Sequence, residues 1–287
     1  MSHTSVYQHI AENIPKLSKS HKKIANYILE NANIVPFFKV ATLAKKAGVS
    51  EATVVRFATT LGYSGYPEMQ RSMQNSIQKQ LTTTERLKMS SQVYDDKEHA
   101  VYDIFRDDIE NIKSTMEQLD VESFHRAGQK LLNANRIYIS ANRSAASLGV
   151  FLQYYLNIIL ANSEILAMGE GVSEQLYSLN EDDVVIGISF ARYSNSTINT
   201  IAFAKDMGAS TISITDTLLS PLLQHSDITL TASSDMPSFI DSFAAPFSLI
   251  NALIVYLGKA REEAVEERLT KMEDVWNKFG AFYQNND

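Results

Sequence analysis

KVATLAKKAGVSEATVVRFATTL, residues 39–61, divides into two short helices about a glycine. Val40, Leu43, Ala44 and Ala47 recur at helical spacing and make one apolar face. Gly48-Val49-Ser50 interrupts that pattern. Gly48 can take the positive φ of a tight corner, and Ser50 is suited to cap the next helix. Val54, Phe57, Ala58 and Leu61 form the inner face of the second helix, and Gly62 is placed to end it. Two helices joined in this way make a helix-turn-helix. The other face of the second helix carries Ser50, Glu51, Thr53, Arg56 and Thr60. Arg can reach guanine, and Ser or Thr can reach bases or phosphates, so this face suits the major groove of double-stranded DNA. Lys39, Thr42, Lys45, Lys46 and Tyr63 flank it as expected phosphate contacts. A helical hairpin in an ordinary core would show the same apolar pattern.

Charge favours the DNA reading. The chain has 287 residues, 26 Lys/Arg and 33 Asp/Glu. Residues 1–90 hold 12 basic and 5 acidic residues, a balance of +7, and residues 91–287 hold 14 and 28, a balance of −14. A basic first third on an acidic protein is the footprint of a nucleic-acid module. The length allows two domains. There are no cysteines, which excludes disulfides, thiol nucleophiles and cysteine zinc sites and fits a reducing cytoplasm. No metal and no cofactor is expected. The first 20 residues lack the apolar core of a signal peptide, and no apolar run reaches the roughly 18 residues of a membrane span. A cytoplasmic protein without a membrane partner is the expectation.

Outward from the motif, residues 1–80 read as an all-helical domain of about five helices, with Pro67 in the first turn of the last. TTTERLKMSSQ, residues 82–92, reads as a polar linker. Val101, Ile104, Phe105, Ile109, Ile112 and Met116 then mark a long connecting helix, so residues 81–120 are expected to be linker and connector. Residues 121–287 alternate β-rich runs (136–140, 163–166, 184–189, 210–215, 227–231) with helical stretches, including one from Ser220 and one over Phe239–Tyr256. A last charged helix should face inward through Ala264, Leu269, Met272 and Trp276. Buried strands alternating with helices predict a parallel sheet covered on both faces. The fold class is therefore multidomain: an all-α helix-turn-helix domain followed by an α/β domain. Ligands sit at the carboxyl ends of such strands, which points to the loops at 141–144, 190–195 and 216–220.

Two of these loops are rich in hydroxyls and precede helices. Ser140, Asn142, Arg143 and Ser144 belong to the first, and Ser189, Arg192, Tyr193 and Ser194 to the second. Hydroxyls and backbone N–H groups at a helix start suit an anion such as phosphate, and Arg192 adds a charged fork. A serine at a helix start is also simply a cap.

The runs LLNANRIYISANRSAAS, ISFARYSNST, AKDMGASTISIT and SPLLQHSDITL follow the layout of a sugar isomerase (SIS) domain. With GVSEATVVRFATTLGYSGYPEMQ before them, nearly the whole chain resembles the RpiR-family transcriptional regulators. The resemblance implies a dimer or tetramer that binds a DNA operator, usually as a repressor of carbohydrate-metabolism genes. It also implies that the SIS domain senses a phosphorylated sugar without turning it over. The chain departs from the family in two places. SANRS stands where SIS domains commonly have a glycine-containing loop. Residues 189–194 stand where they commonly show SxSGxT, so Ala191 loses a hydroxyl and Arg192 replaces glycine. The alternative function is a sugar-phosphate isomerase with an appended helical domain. Isomerisation needs a base such as Glu170, Glu174 or His225 beside the loops, and nothing in the sequence brings these there.

Overall fold

The computed structural model describes residues 6–77, 82–94, 100–166 and 171–283. They belong to two compact units, one of Met1–Asp107 with Asp235–Asp241, the other of Asp108–Ser234 with Ser242–Asp287.

The first unit is helical. It contains α1 (Val6–Asn13), α2 (Lys19–Glu30), α3 (Val40–Ala47), α4 (Glu51–Thr60), α5 (Tyr66–Ile77) and α6 (Thr83–Val93), and α7 (Ala100–Glu117) begins in it. Ile10, Ile24, Ile28, Leu43, Val54, Phe57, Met69 and Met73 fill its core. Gly48 has φ 66°, and the Val49 N–H beyond it donates to the Ala44 carbonyl at 3.0 Å, closing α3 so that α4 can start at once. Ser18 caps α2 and Ser50 caps α4. The segment before α3 is held by α5: Tyr66 OH donates to the Phe38 carbonyl at 2.6 Å and the Gln74 amide to the Pro36 carbonyl at 3.0 Å.

The stretch expected as a polar linker is helix α6. Its polarity conceals a capping box. The Glu85 N–H donates to the Thr82 hydroxyl, and the Thr82 N–H donates to the Glu85 carboxylate at 2.7 Å. Arg86 then anchors it. This buried guanidinium donates to the Ser238 and Ile240 carbonyls, both at 2.8 Å, and to Asp241 at 2.7 Å. Residues 235–241 follow the sheet of the second unit in sequence, yet they pack in the first.

The second unit contains α8 (Val121–Asn133), β1 (Ile137–Ala141), α9 (Ala146–Ile159), β2 (Ser163–Ile165), α10 (Val172–Leu176), β3 (Val184–Ile188), α11 (Asn195–Asp206), β4 (Ser210–Thr215), β5 (Ile228–Thr231), α12 (Ala244–Ala260) and α13 (Glu262–Phe279). Its strands form one parallel sheet in the order β2-β1-β3-β4-β5, with Ile139 beside Ile186 and Ile186 beside Ile212. The isoleucines of the inner strands pack on α8, α9 and α12. Tyr138 and Val185 point to the other face, against Leu176 of α10 and Ile201 and Ala204 of α11. Gly187 sets the approach of α11, because a Cβ there would lie 2.5 Å from Ile201.

Three sequence expectations need correction. The helix from Ser220 is only a 3-10 turn at Leu223–His225, because Ser220 closes a hydrogen-bonded turn with Thr217 first. The helix expected over Phe239–Tyr256 starts at Ala244. The last helix contacts its unit through Val265 and Arg268; Met272 and Trp276 are half-buried, while Ala264 and Leu269 are exposed. Arg268 donates to the carbonyls of Ile158 and Ile159 and so covers the end of α9. Among the described residues, no helix is long and apolar enough to cross a membrane.

Candidate functional site

The first candidate site is the outer face of α4. Ser50 Oγ accepts the Thr53 N–H and lies 2.8 Å from Thr53 Oγ1, and Arg56 Nη2 donates to that same Thr53 oxygen at 3.5 Å. Ser50, Thr53 and Arg56 therefore form one linked row, with Ser50, Arg56 and Glu51 exposed. The Thr60 hydroxyl instead donates to the Arg56 carbonyl at 2.8 Å. Burial of Val54, Phe57 and Ala58 turns Ala52, Val55 and Thr59 outward beside Arg56. Sequence reasoning missed those three, although a helical projection from the buried face locates them. Val55, 41 % exposed, is an apolar group of the kind that meets a thymine methyl.

The flanking residues are dispersed in role. Lys45 and Lys46 are exposed at the end of α3, and Thr42 is half-buried. Tyr63 OH is shared with Ser72 at 3.4 Å. Lys39 is hydrogen-bonded to Asp103 of α7. That hydrogen bond, aided by the charges of Lys39 and Arg106, holds the Asp103 carboxyl below its ordinary range.

The second candidate site lies where the order of the strands reverses. From β1 the chain runs to β2 on one side, and β3, on the other side, leads away to β4 and β5. The carboxyl ends of β1 and β3 are paired at Ala141 and Ile188, so their following loops flank a topological switch point. Asn142 Nδ2 donates to Thr197 Oγ1 at 2.9 Å and ties the two loops together. Ser140 and Ser189 are buried at the strand ends. The Ser194 N–H donates to Ser189 Oγ at 3.0 Å, and Ser194 caps α11. Tyr193 OH donates to Asp216 at 2.8 Å, bringing in the loop after β4. Burial, then the Asp216 carboxylate, raises the Tyr193 phenol well above its ordinary value, so it stays a donor.

Several of the predicted hydroxyls thus serve the loops themselves. Ser144, Arg143 and Arg192 are exposed. Both arginines have left-handed backbones, with φ 59° and 64°. Sequence reasoning did not single out Thr197 or Asp216. Thr197 stands three residues after the Ser194 cap, where its N–H faces the cap oxygen, and Asp216 lies inside the third expected loop. The candidate bases are dispersed. Glu174 is exposed on α10, His225 is half-buried in the 3-10 turn, and Glu170 lies outside the described residues.

The helix-turn-helix domain of the rpiR family matches residues 4–80, and the SIS domain matches residues 130–256. An HTH-type transcriptional regulator of Caldanaerobacter subterraneus subsp. tengcongensis is 31 % identical over 279 residues, which are 95 % of this chain and 97 % of that protein. The chain belongs to the RpiR family of transcriptional regulators. The sugar isomerase domain of an RpiR transcription factor from Sphaerobacter thermophilus has the same fold, with a TM-score of 0.60 at 24 % identity over 61 % of this chain and 99 % of that one. NanR of Vibrio vulnificus, solved with ManNAc-6P, matches with a TM-score of 0.54 at 21 % identity over 96 % and 98 %. The glycine that SIS loops commonly carry has a geometric counterpart in this RpiR-family chain: Arg192, at the matching position, keeps a positive φ.

Proposed function

We propose that this RpiR-family regulator reads a double-stranded operator with α4 and senses a phosphorylated sugar at the β1–β3 switch point. On this reading Ser50, Glu51, Thr53, Arg56 and Thr60 face bases, and Lys39, Thr42, Lys45, Lys46 and Tyr63 face phosphates. Ser140, Asn142, Arg143, Ser144, Ser189, Arg192, Tyr193 and Ser194 form the effector site. The observation that carries the effector reading is the Asn142–Thr197 tie, which holds two hydroxyl-bearing, arginine-bearing loops across the crevice where α/β sheets bind ligands. NanR, of the same fold, was solved with a phosphosugar. The protein acts as a dimer or tetramer and, by family resemblance, as a repressor of carbohydrate genes. Effector binding favours one arrangement of the subunits and so changes operator affinity by its differential affinity for the two arrangements.

The test is a thermal-shift screen against phosphorylated sugars and their unphosphorylated counterparts. A ligand that binds only the folded chain raises Tm by mass action. The expected result is a shift with one phosphosugar and none with its free sugar. A blank across the panel would defeat the effector reading.

A further inference from the structure

We infer that the effector carries two separate anionic groups, a phosphate held by the Arg192 loop and a further phosphate or a carboxylate held by the Arg143 loop at the start of α9. This rests on the effector reading above and names its class of ligand. Three non-glycine residues have a positive φ among the described residues, and two of them are Arg143 and Arg192. That conformation costs an arginine stability that a glycine would keep. Residues held in it cluster at functional sites. Both side chains are exposed, and that of Arg143 makes no ion pair among the described residues. Packing therefore does not account for an arginine at either position. Their surroundings oppose them in charge, since residues 91–287 hold 14 basic and 28 acidic residues. Asp216, the acidic side chain of the third loop, accepts from the hydroxyls of Tyr193 and Thr215.

The two arginines precede different helices. Arg192 stands before α11, whose start is capped by Ser194. Arg143 opens the 3-10 turn that leads into α9, and neither Asn142 nor Ala145 supplies a side-chain cap there. Asn142 stands at the cap position of that turn, but its amide is committed to Thr197. The positive start of α9 thus has a guanidinium and the exposed Ser144 hydroxyl beside it, and no carboxylate or amide of its own. An anionic group of the ligand completes it. The Asn142–Thr197 tie joins the two starts through protein groups, so each keeps its own anion. β1 and β3 are paired neighbours, and such strands lie only about 4.8 Å apart, which brings the two places within the length of one sugar.

Inorganic phosphate is the first probe, because it reports the two places whatever the sugar is. Melting of the full-length protein is followed against phosphate concentration at constant ionic strength, which keeps screening fixed. Each occupied place raises Tm by mass action. Arg143→Gly and Arg192→Gly relieve the positive φ, so both are expected to melt at or above the parent without phosphate. Each is expected to remove part of the phosphate shift, and the double variant the sum of the two parts. An unchanged shift in Arg143→Gly overturns the second place and leaves the phosphate reading of Arg192 standing. Unchanged shifts in both variants overturn both. Equal losses in each single variant and in the double mean one shared anion, and also overturn the inference. Matched sugars then identify the second group. Glucose 6-phosphate is compared with 6-phosphogluconate, and fructose 6-phosphate with fructose 1,6-bisphosphate. The doubly charged member of one pair is expected to give the larger shift, an excess that Arg143→Gly removes. An excess in the first pair assigns a carboxylate, and one in the second a phosphate. No excess in either pair overturns the doubly anionic class.

Discussion

Arg192 lies in the loop after β3 with φ 64°, a conformation that costs a non-glycine residue about 1–2 kcal/mol. Replacing it with glycine relieves that cost and removes the guanidinium in one step. Arg192→Gly is therefore expected to melt at or above the parent temperature while losing the phosphosugar-induced shift. An undiminished shift would show that the charge plays no part in the site. Arg86 is the opposite case, since it carries fold and no proposed chemistry. Its side chain is 5 % exposed and that of Asp241 15 %, so truncation strands a buried carboxylate and two carbonyls. Arg86→Ala should cost about 3–5 kcal/mol in urea unfolding. Adding Asp241→Ala should recover part of that loss, because the double variant no longer buries an unpaired charge. Strictly additive losses would mean that the pair is not coupled. Neither property was legible in the sequence. A positive φ leaves no mark on an arginine's neighbours, and the partners of Arg86 stand more than 150 residues away.

At the scale of elements, the helix-turn-helix and the sheet were legible because their signals are local. The 3.6-residue period of Val54, Phe57 and Ala58, the glycine at 48 and the β-branched runs of β3 and β4 need no distant contact to be read. The polar helix α6 was not read as a helix because it has little apolar face, although Thr82 and Glu85 already spelled its capping box. The link between α3 and α7 was also beyond reach, since it joins residues 64 positions apart. That link has a consequence for DNA. Asp103 occupies the Lys39 ammonium, a candidate phosphate contact. Its carboxyl is held below the ordinary range, so the contact is complete above that range and is lost only as pH falls through the lowered value. On the proposed reading it competes with DNA at neutral pH. The side chains of Lys39 and Asp103 are 52 % and 25 % exposed, so the pair is worth at most about 1 kcal/mol and a phosphate can displace it. Asp103→Asn is expected to raise operator affinity, because the phosphate no longer has to displace a carboxylate from Lys39. Unchanged affinity in fluorescence anisotropy would remove Lys39 from the interface.

The whole molecule carries its charge unevenly, +7 over residues 1–90 and −14 over the rest. The acidic remainder repels DNA, so attraction must come from a small set of cations near α4. Lys39, Lys45 and Lys46 flank that helix, and two copies would bring six such lysines to one operator. Each phosphate neutralised releases condensed counterions, so six contacts predict a log–log slope of affinity against salt of about −5. The slope should be nearly the same for operator and unrelated duplex, because phosphates carry no sequence information. Arg56→Ala should behave differently. It is expected to cost about 1–3 kcal/mol on the operator and little on unrelated DNA, narrowing the gap between the two. Titrations of both duplexes between about 50 and 200 mM salt measure all of these quantities together. A wild-type slope near −2 would remove most of the lysines from the backbone. An equal loss on both duplexes with Arg56→Ala would place that arginine on phosphate, and would shift base reading to Ala52, Val55 and Thr59 on the same exposed face.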